Sequence, residues 1–334
     1  MGSIPAGGVR GYIMNIIVMD LEWNQNSLGK KDRDSDKPIF EIIEIGAVKL
    51  NEEYEMVDKF SQLINPQIYQ TMHHVTADLI HLQMNELRKG KDFPTVIKDF
   101  LDWCGENYIF ATWGPLDLLE LQRNMKYYKL DSLSKGPIKF YDVQKLFSLG
   151  IMKDKIRKTL EFAIDYFEIE KDIPFHRAYS DAYYTAKIFK KIANPDILKL
   201  VSYDTFNIPK NKKEELKILF PGYFKYISRG FQNKSDVMQD REVSSTKCYL
   251  CHKNLKKKIR WYSPNSKNYY SVSCCDVHGY IKYKVRVKKA ENDMYYAIKT
   301  SKFITEEKYI KIKEDCNKDK ENKKMKKKLL PNQK

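Results

Sequence analysis

Residues 14–24 read MNIIVMDLEWN, and this stretch decides the fold. Its apolar run, residues 16–19, shows little alternation, which is typical of a central strand that is buried on both faces. Asp20 and Glu22 interrupt the run two residues apart, and alternate residues of a strand project from the same face of a sheet. Carboxylates in a buried strand are costly unless they bind a metal ion or line a solvated cleft. The stretch therefore predicts an acidic site at the centre of a sheet.

The sequence on either side of this strand predicts an α/β fold. Two strands follow after short turns, at residues 40–50 and about 56–64, and the apolar pattern from Phe93 to Cys104 then takes the helical period. Later strands, at about residues 108–112 and 138–143, alternate with helices, which is typical of parallel strands joined by helical crossovers. We therefore predict a mixed five-stranded sheet with flanking helices.

Further polar residues stand at the ends of these elements. Asp117 follows the fourth predicted strand at the start of a helix, and His176 and Asp181 begin the last helix of this part of the chain. Each of them alone also fits an ordinary helix start. Together with Asp20 and Glu22, they supply four carboxylates and a histidine in a defined order along the chain.

This set resembles the DEDDh (DnaQ-like) family of 3′–5′ exonucleases over residues 14–194. Asp20-Leu21-Glu22 matches the first motif of the family, Asp117 matches the second, and the spacing of His176 and Asp181 matches the third. The resemblance implies a ribonuclease H-like fold in which the four carboxylates hold two Mg²⁺ or Mn²⁺ ions and His176 activates water as a general base. It also implies removal of nucleotides from the 3′ end of a single-stranded nucleic acid.

Two tryptophans depart from the common family pattern. Trp23 stands where many members have threonine, and Thr112-Trp113 stands where histidine and asparagine are common. The Thr-Trp-Gly form is similar to the subgroup that contains histone-mRNA 3′-exonucleases and the sporulation protein KapD, which favours RNA over DNA. Trp23 and Trp113 are candidates for stacking on bases, and Trp23 fits a core aromatic at a strand end equally well.

A cluster of cysteines and one histidine predicts a structural zinc site in the second half of the chain. Cys248 and Cys251 are separated by two residues, and Cys275 and His278 repeat that spacing further along the chain. Three thiolates and an imidazole are typical ligands of a tetrahedral Zn²⁺ ion. Cys274 is an alternative third ligand, and His252 is a competing histidine.

Positive charge is concentrated in the same half of the chain. The protein has 334 residues and a formal net charge of +16. Residues 14–194 contain 25 Lys and Arg against 28 Asp and Glu, whereas residues 195–334 contain 34 against 16. This asymmetry predicts a polyanion-binding second half, although 50 Lys against 10 Arg also fits the composition of an AT-rich genome.

One predicted strand of this basic half alternates cleanly between cations and apolar residues. Its cations share one face, and such a face without acidic residues favours phosphate binding. Trp261 is a further candidate for stacking on bases. The predicted nucleic-acid contacts of this half are Trp261, Lys282, Lys284, Arg286 and Lys288.

These patterns predict how the chain is divided. The segments are a leader that is non-native or unfolded (1–13, with Met14 as the better start), a DEDDh exonuclease domain (14–194), a helical connector (195–244), a zinc-ribbon-like basic module (245–305) and a Lys-rich tail (306–334). Cysteine usage favours a cytoplasmic protein, and the chain lacks an apolar run long enough for a membrane span.

An alternative from another functional class remains open. The same sequence fits a nuclease-like protein without activity that binds nucleic acid or ribosomes through its zinc module. The presence of all five expected site residues favours the enzyme. The absence of the Gly-rich motifs of dinucleotide-binding and P-loop proteins argues against those two classes.

Overall fold

The structure of the protein is a computed structural model that describes residues 14–26, 37–80 and 82–329. The predicted leader, residues 1–13, lies outside the described residues. The chain forms two compact units, Met1–Asp204 and Thr205–Lys334. The boundary thus falls about ten residues after the predicted end of the exonuclease domain.

The first unit alternates strands with helices in the predicted way. Its strands are β1 (Asn15–Gln25), β2 (Phe40–Leu50), β3 (Met56–Leu63), β4 (Tyr108–Thr112), β5 (Ile138–Asp142) and β6 (Ser202–Asp204). Its helices are α1 (His74–Ile80), α2 (Met84–Leu87), α3 (Phe93–Cys104), α4 (Leu116–Tyr127), α5 (Val143–Leu146), α6 (Leu160–Tyr166), α7 (Ala178–Ile192) and α8 (Pro195–Leu198), with a π-helical turn (Phe147–Ile151) after α5.

The strands of the first unit form one mixed sheet in the order β3-β2-β1-β4-β5-β6. β1, β4 and β5 are parallel to one another, and the remaining neighbours are antiparallel. The predicted mixed α/β, ribonuclease H-like sheet is confirmed, but it has six strands rather than five. β6 has only three residues, so it is too short to show a strand period in the sequence.

Helices cover both faces of this sheet because β1 is apolar on both sides. Ile16 and Val18 pack in the core that contains α7 residues such as Phe189. Ile17 and Met19 pack in the opposite core, which includes residues of α3 and α4. The period of two then places Asp20 and Glu22 on the side of Ile16 and Val18, facing α7.

The second unit is built on an antiparallel sheet of six strands in the order β7-β8-β12-β11-β10-β9. The strands are β7 (Leu216–Phe220), β8 (Tyr223–Ile227), β9 (Lys257–Tyr262), β10 (Asn268–Cys275), β11 (Gly279–Lys289) and β12 (Tyr295–Phe303). The helices are α9 (Lys234–Gln239), α10 (Arg241–Ser244) and α11 (Glu306–Leu329).

The prediction of a helical connector over residues 195–244 is wrong. This segment supplies β6 to the first sheet and the hairpin β7–β8 to the second, and β8 pairs with the distant strand β12. Pro221-Gly222 forms the turn of that hairpin. The basic module is therefore larger than residues 245–305. In the described part of the chain, no helix has the length and apolarity that crossing a membrane requires.

Candidate active site and zinc site

The structure brings together three of the predicted carboxylates. Asp20 and Glu22 project from β1, and Asp181 projects from the first turn of α7. One oxygen of each lies within 4.8 Å of the others. All three side chains are half-buried, so the cluster is sheltered but reachable.

Asp117 also lies beside this cluster, and it comes from the helix that follows β4, the neighbour of β1 on the side opposite β2. It occupies the first turn of α4, directly after β4, and is only 6% exposed. Its carboxylate accepts a hydrogen bond from the backbone N–H of Leu21, between the two β1 acids, and its charge acts on Asp20. The adjacent parallel strands β1 and β4 thus bring Asp20, Glu22 and Asp117 together, and α7 adds Asp181.

A glycine on β2 allows α7 to come this close. Gly46 pairs with Asp20 across β1 and β2. A Cβ atom at Gly46 would lie 2.0 Å from the backbone nitrogen of Tyr179 and 2.1 Å from the carbonyl carbon of Ala178. The first turn of α7 therefore rests directly on the backbone of β2, which carries Asp181 to the β1 acids.

An ion pair with a buried carboxylate fixes the same helix end. Glu44 on β2 is 1% exposed and accepts two hydrogen bonds from the Arg177 guanidinium, each 2.9 Å long. Glu44 also accepts from the backbone N–H of Ala178, the first residue of α7, at 3.5 Å. This two-pronged contact orients the residues on either side of Arg177.

His176 precedes Arg177 and stands at the mouth of the cluster. Its backbone is left-handed, with a φ of 61°, which is uncommon for a residue other than glycine. The His176 side chain is exposed, and its backbone N–H donates to the Asp181 carboxylate. An exposed imidazole beside a carboxylate can accept a proton and release it to solvent.

Burial shapes the electrostatics of the four carboxyl groups. Burial raises the pKa of Glu22 to about 8, of Asp117 to about 7 and of Asp181 to about 6, and it is the largest cause of each shift. Repulsion between the acids raises these pKa values further. The pKa of Asp20 is raised for the same reasons, first burial and then the charge of Asp117. A divalent ion bound among these groups would favour their ionised forms and so lower their pKa values.

The donor set fits a divalent cation. It consists of carboxylate oxygens, which are the ligands that Mg²⁺ and Mn²⁺ prefer. Asp181 Oδ1 is buried and has no hydrogen-bond partner among the described residues. A buried oxygen that lacks a donor is costly in the protein alone, and a metal ion would satisfy it.

The second predicted cluster also assembles. Cys248 Sγ lies 3.5 Å and Cys275 Sγ lies 3.6 Å from His278 Nδ1, and Cys251 Sγ lies 3.7 Å from Cys275 Sγ. Tetrahedral zinc with bonds of about 2.3 Å to sulfur and about 2.0 Å to nitrogen requires separations of about 3.8 Å between sulfurs and about 3.6 Å between sulfur and nitrogen. The four groups are therefore spaced as a zinc site requires.

The structure distinguishes between the neighbouring candidates for this site. Cys275 is one of the four clustered groups, whereas the thiol of Cys274 points to the carbonyl of Cys275 at 3.9 Å. His252 is exposed, and it is outside the cluster. Adjacent strand residues face opposite sides of a sheet, so β10 can present only one of its two cysteines to the other ligands.

The three tryptophans that were predicted to contact bases lie in different surroundings. Trp261 is half-buried, its Nε1 donates to the Ser244 carbonyl at 2.9 Å, and its ring packs in the core with Tyr283. These contacts of Trp261 are made within the unit, and its stacking on bases stays a prediction. Trp23 is half-buried against Phe40, 5.3 Å between ring centroids, and Trp113 packs against the core on the α7 side.

Sequence reasoning missed Glu44, Gly46 and Arg177. Glu44 interrupts an apolar strand as Asp20 and Glu22 do, so the cost of a buried carboxylate was a signal that it has a partner. The sequence does not indicate which residue is that partner, because Arg177 lies 133 positions away. The close approach at Gly46 has no local signal either.

The sheet and the acids at its edge define the class of protein, a nuclease with a ribonuclease H-like fold. The family model described as exonuclease (RNase T) matches residues 17–189, which is more than half of the chain. The chain belongs to this exonuclease family. The resemblance to DEDDh-type exonucleases is thereby confirmed at the level of the family.

Solved structures of several nucleases are similar to this chain. A full-length 3′-exonuclease is 21% identical over 54% of this chain and 82% of its own, with a TM-score of 0.46. The nuclease domain of 3′hExo, a DEDDh family member bound to rAMP, is 21% identical over 54% and 92%, with a TM-score of 0.45. S. pombe Pop2p with Mg²⁺ and Mn²⁺ is 19% identical over 53% and 82%, with a TM-score of 0.40. No curated protein matches the chain.

Proposed function

We propose that this protein is a cytoplasmic, metal-dependent 3′–5′ exonuclease that removes nucleotides from single-stranded nucleic acid, with RNA preferred to DNA. The observation that carries the proposal is the grouping of Asp20, Glu22 and Asp181 within 4.8 Å, with the exposed His176 beside them. Support for the polarity comes from the five residues of the DEDDh pattern. Support for RNA comes from the Thr-Trp-Gly form of the second motif.

The proposed roles follow from chemistry and position. Asp20, Glu22, Asp117 and Asp181 hold two divalent ions, which, when bound, offset charge on the phosphoryl oxygens and lower the pKa of a coordinated water. His176 accepts the proton of the attacking water at its ring and passes it to solvent. The Glu44–Arg177 pair keeps the His176 backbone in its left-handed conformation, so the ring stays beside the cluster.

The zinc site has a structural role in this proposal. Cys248, Cys251, Cys275 and His278 would hold one Zn²⁺ that joins the loop before β9 to the turn between β10 and β11. All four positions are protein ligands, which is typical of closed structural sites rather than catalytic ones. All six cysteines lie in the described part of the chain and none forms a disulfide, as a reducing cytoplasm would leave them.

A cleavage assay tests the proposal. Single-stranded RNA and DNA of one sequence, labelled at the 5′ end, are incubated with the protein and Mn²⁺. We expect a ladder of labelled products that shorten from the 3′ end, faster for RNA, and a loss of at least about 100-fold in Asp20→Asn. Asp102→Asn, which changes an exposed acid of α3, is the matched control and should cleave normally.

The same assay has two contrary outcomes. Intact oligonucleotides with both the wild type and Asp20→Asn would refute the nuclease and support a binding protein that only resembles one. Early release of the labelled 5′ nucleotide would refute the polarity.

A further inference from the structure

The sheet of the second unit has an unusual charge composition. Its six strands contain twelve Lys and Arg and no Asp or Glu. A lysine-rich composition alone does not remove acids from every strand, because the whole chain contains 44 of them. The absence of carboxylates from the strands is therefore a property of this sheet.

The cations of β11 lie on the face that does not form the core of the unit. Tyr283, Val285 and Val287 of β11 are at most 7% exposed and pack inward. Lys282, Lys284, Arg286 and Lys288 alternate with them and so project from the other face. These four residues span about 20 Å of strand, at about 6.8 Å from one to the next.

Two tyrosines join the cations on this face. Tyr270 of β10 pairs directly with Lys284, and the Nζ atoms of Lys282 and Lys284 lie 5.2 and 5.9 Å from its ring centroid. Tyr262 of β9 pairs with Tyr270, with 5.8 Å between their ring centroids. We call the surface made by Tyr262, Tyr270, Lys282, Lys284, Arg286 and Lys288 the Tyr–Lys face.

Folding alone gains little from this arrangement. Cross-strand pairs of opposite charge stabilise a sheet and like charges destabilise it. Here Lys282 is opposite Lys302, and Arg286 is opposite Asn268 and Ile298. Within the described residues, Lys284 and Arg286 form no ion pair. The charge of Lys284 and Arg286 is thus left for an external anion to offset.

Both ends of the face are partly covered, because the C-terminal helix packs at the Lys282 end and Tyr296, opposite Lys288, is only 1% exposed at the other end. Cys316 of α11 packs on Ile259 and Val272. Val272 pairs with Lys282, so this contact lies at the Lys282 end of the face. The acidic groups that α11 brings, Asp315 and Asp319, act on Tyr262 at that end. Lys284 and Arg286 lie further along β11 and are exposed.

We propose that the Tyr–Lys face binds single-stranded nucleic acid without sequence preference. A row of cations follows a phosphate backbone, and tyrosine rings offer planes on which unpaired bases stack. A paired duplex keeps its base faces inside the stack, so the tyrosines favour single strands over duplexes. The proposal deepens the proposed function, because this face would hold the strand that the first unit cleaves, but binding can be measured in a protein that does not cut.

Binding is measured with the full chain carrying Asp20→Asn, so that loss of cleavage does not enter the result. The readout is the fluorescence anisotropy of a labelled single-stranded RNA, a single-stranded DNA and a duplex over a series of salt concentrations. We expect both single strands to bind more tightly than the duplex. Lys284→Glu with Arg286→Glu should weaken binding by at least about 10-fold and reduce the slope of log K against log salt by about 1.4, the value for two lost phosphate contacts on a single strand.

Two controls separate this face from net charge and from misfolding. Lys212→Glu with Lys213→Glu makes the same charge change at two exposed lysines outside the strands and should bind within about two-fold of the parent. Tyr270→Ala should weaken binding by about 5- to 100-fold, whereas Tyr270→Phe, which keeps the ring, should bind like the parent.

The proposal is overturned if both charge-reversed variants lose the same affinity, or if Tyr270→Ala binds as tightly as Tyr270→Phe. Tighter binding to anionic phospholipid vesicles than to either oligonucleotide would also overturn it, in favour of a membrane surface. Absence of cleavage by the wild type, with binding as described, would reject the proposed function and leave this surface standing.

Discussion

Replacing Gly46 by alanine tests how the site is assembled. The added Cβ would lie 2.0 Å from the Tyr179 nitrogen, and real Cβ contacts are essentially never shorter than 3.0 Å. The backbone of α7 must therefore move away from β2 by at least about 1 Å. Asp181 lies two residues beyond Tyr179 in the same helical turn, so it moves with the helix, away from Asp20 and Glu22.

The size of the effect follows from the tolerance of metal coordination. Mg²⁺ requires ligands near 2.1 Å in almost ideal octahedral geometry, so about 1 Å of displacement at one carboxylate is large. A misplacement of about this size costs about 100-fold in rate. Overpacking also lowers the free energy of unfolding, by about 1–3 kcal/mol, which leaves a typical domain folded at room temperature.

Cleavage rate, Mn²⁺ affinity and thermal unfolding of Gly46→Ala are compared with those of the wild type and of Gly136→Ala. A Cβ atom at Gly136 would have nothing within 4 Å, and its φ is not positive, so the same substitution there should leave cleavage unchanged. We expect the Gly46 variant to be folded, about 100-fold slower and weaker in binding Mn²⁺. Cleavage and Mn²⁺ affinity within about three-fold of the wild type would refute the claim that contact between α7 and β2 positions Asp181.

Two further predictions concern the metals. Cys275→Ser should abolish bound zinc and destabilise the second unit, because structural zinc contributes on the order of 10 kcal/mol to the folding of small modules. Cys274→Ser, the control, should keep one zinc per chain. Equal zinc contents of the two variants by elemental analysis would contradict this prediction. Burial raises the pKa of Glu22 to about 8 and of Asp117 to about 7, so these groups bind more protons folded than unfolded, and the free energy of unfolding of the Mg²⁺-free protein should fall as pH rises from about 5 to 8. Since Mg²⁺ needs the ionised carboxylates, the increase in melting temperature that it produces should be larger at about pH 8 than at about pH 6, and an increase independent of pH would contradict the assignment of these ligands.

The sequence by itself determined which side chains form the two candidate metal sites. Asp20 and Glu22 could be assigned to one face because the period of a strand is local, and the cost of burying them indicates a cation. The cysteine spacing likewise restricts the zinc ligands to neighbouring residues. These inferences need only the covalent order of the chain.

Contacts between distant segments could be decided only by the tertiary structure. The choice between Cys274 and Cys275 depends on which side of β10 faces Cys248. The position of the Trp261 ring depends on its hydrogen bond to the Ser244 carbonyl. From sequence alone, residues 216–227 were predicted to be a connector. Only the pairing of β8 with β12 identifies them as part of a sheet. Long-range partners leave no periodic signal in their own segments, because packing rather than local propensity selects them. The same reason hid Glu44, Gly46 and Arg177, which hold the start of α7 against the acids that the sequence predicts.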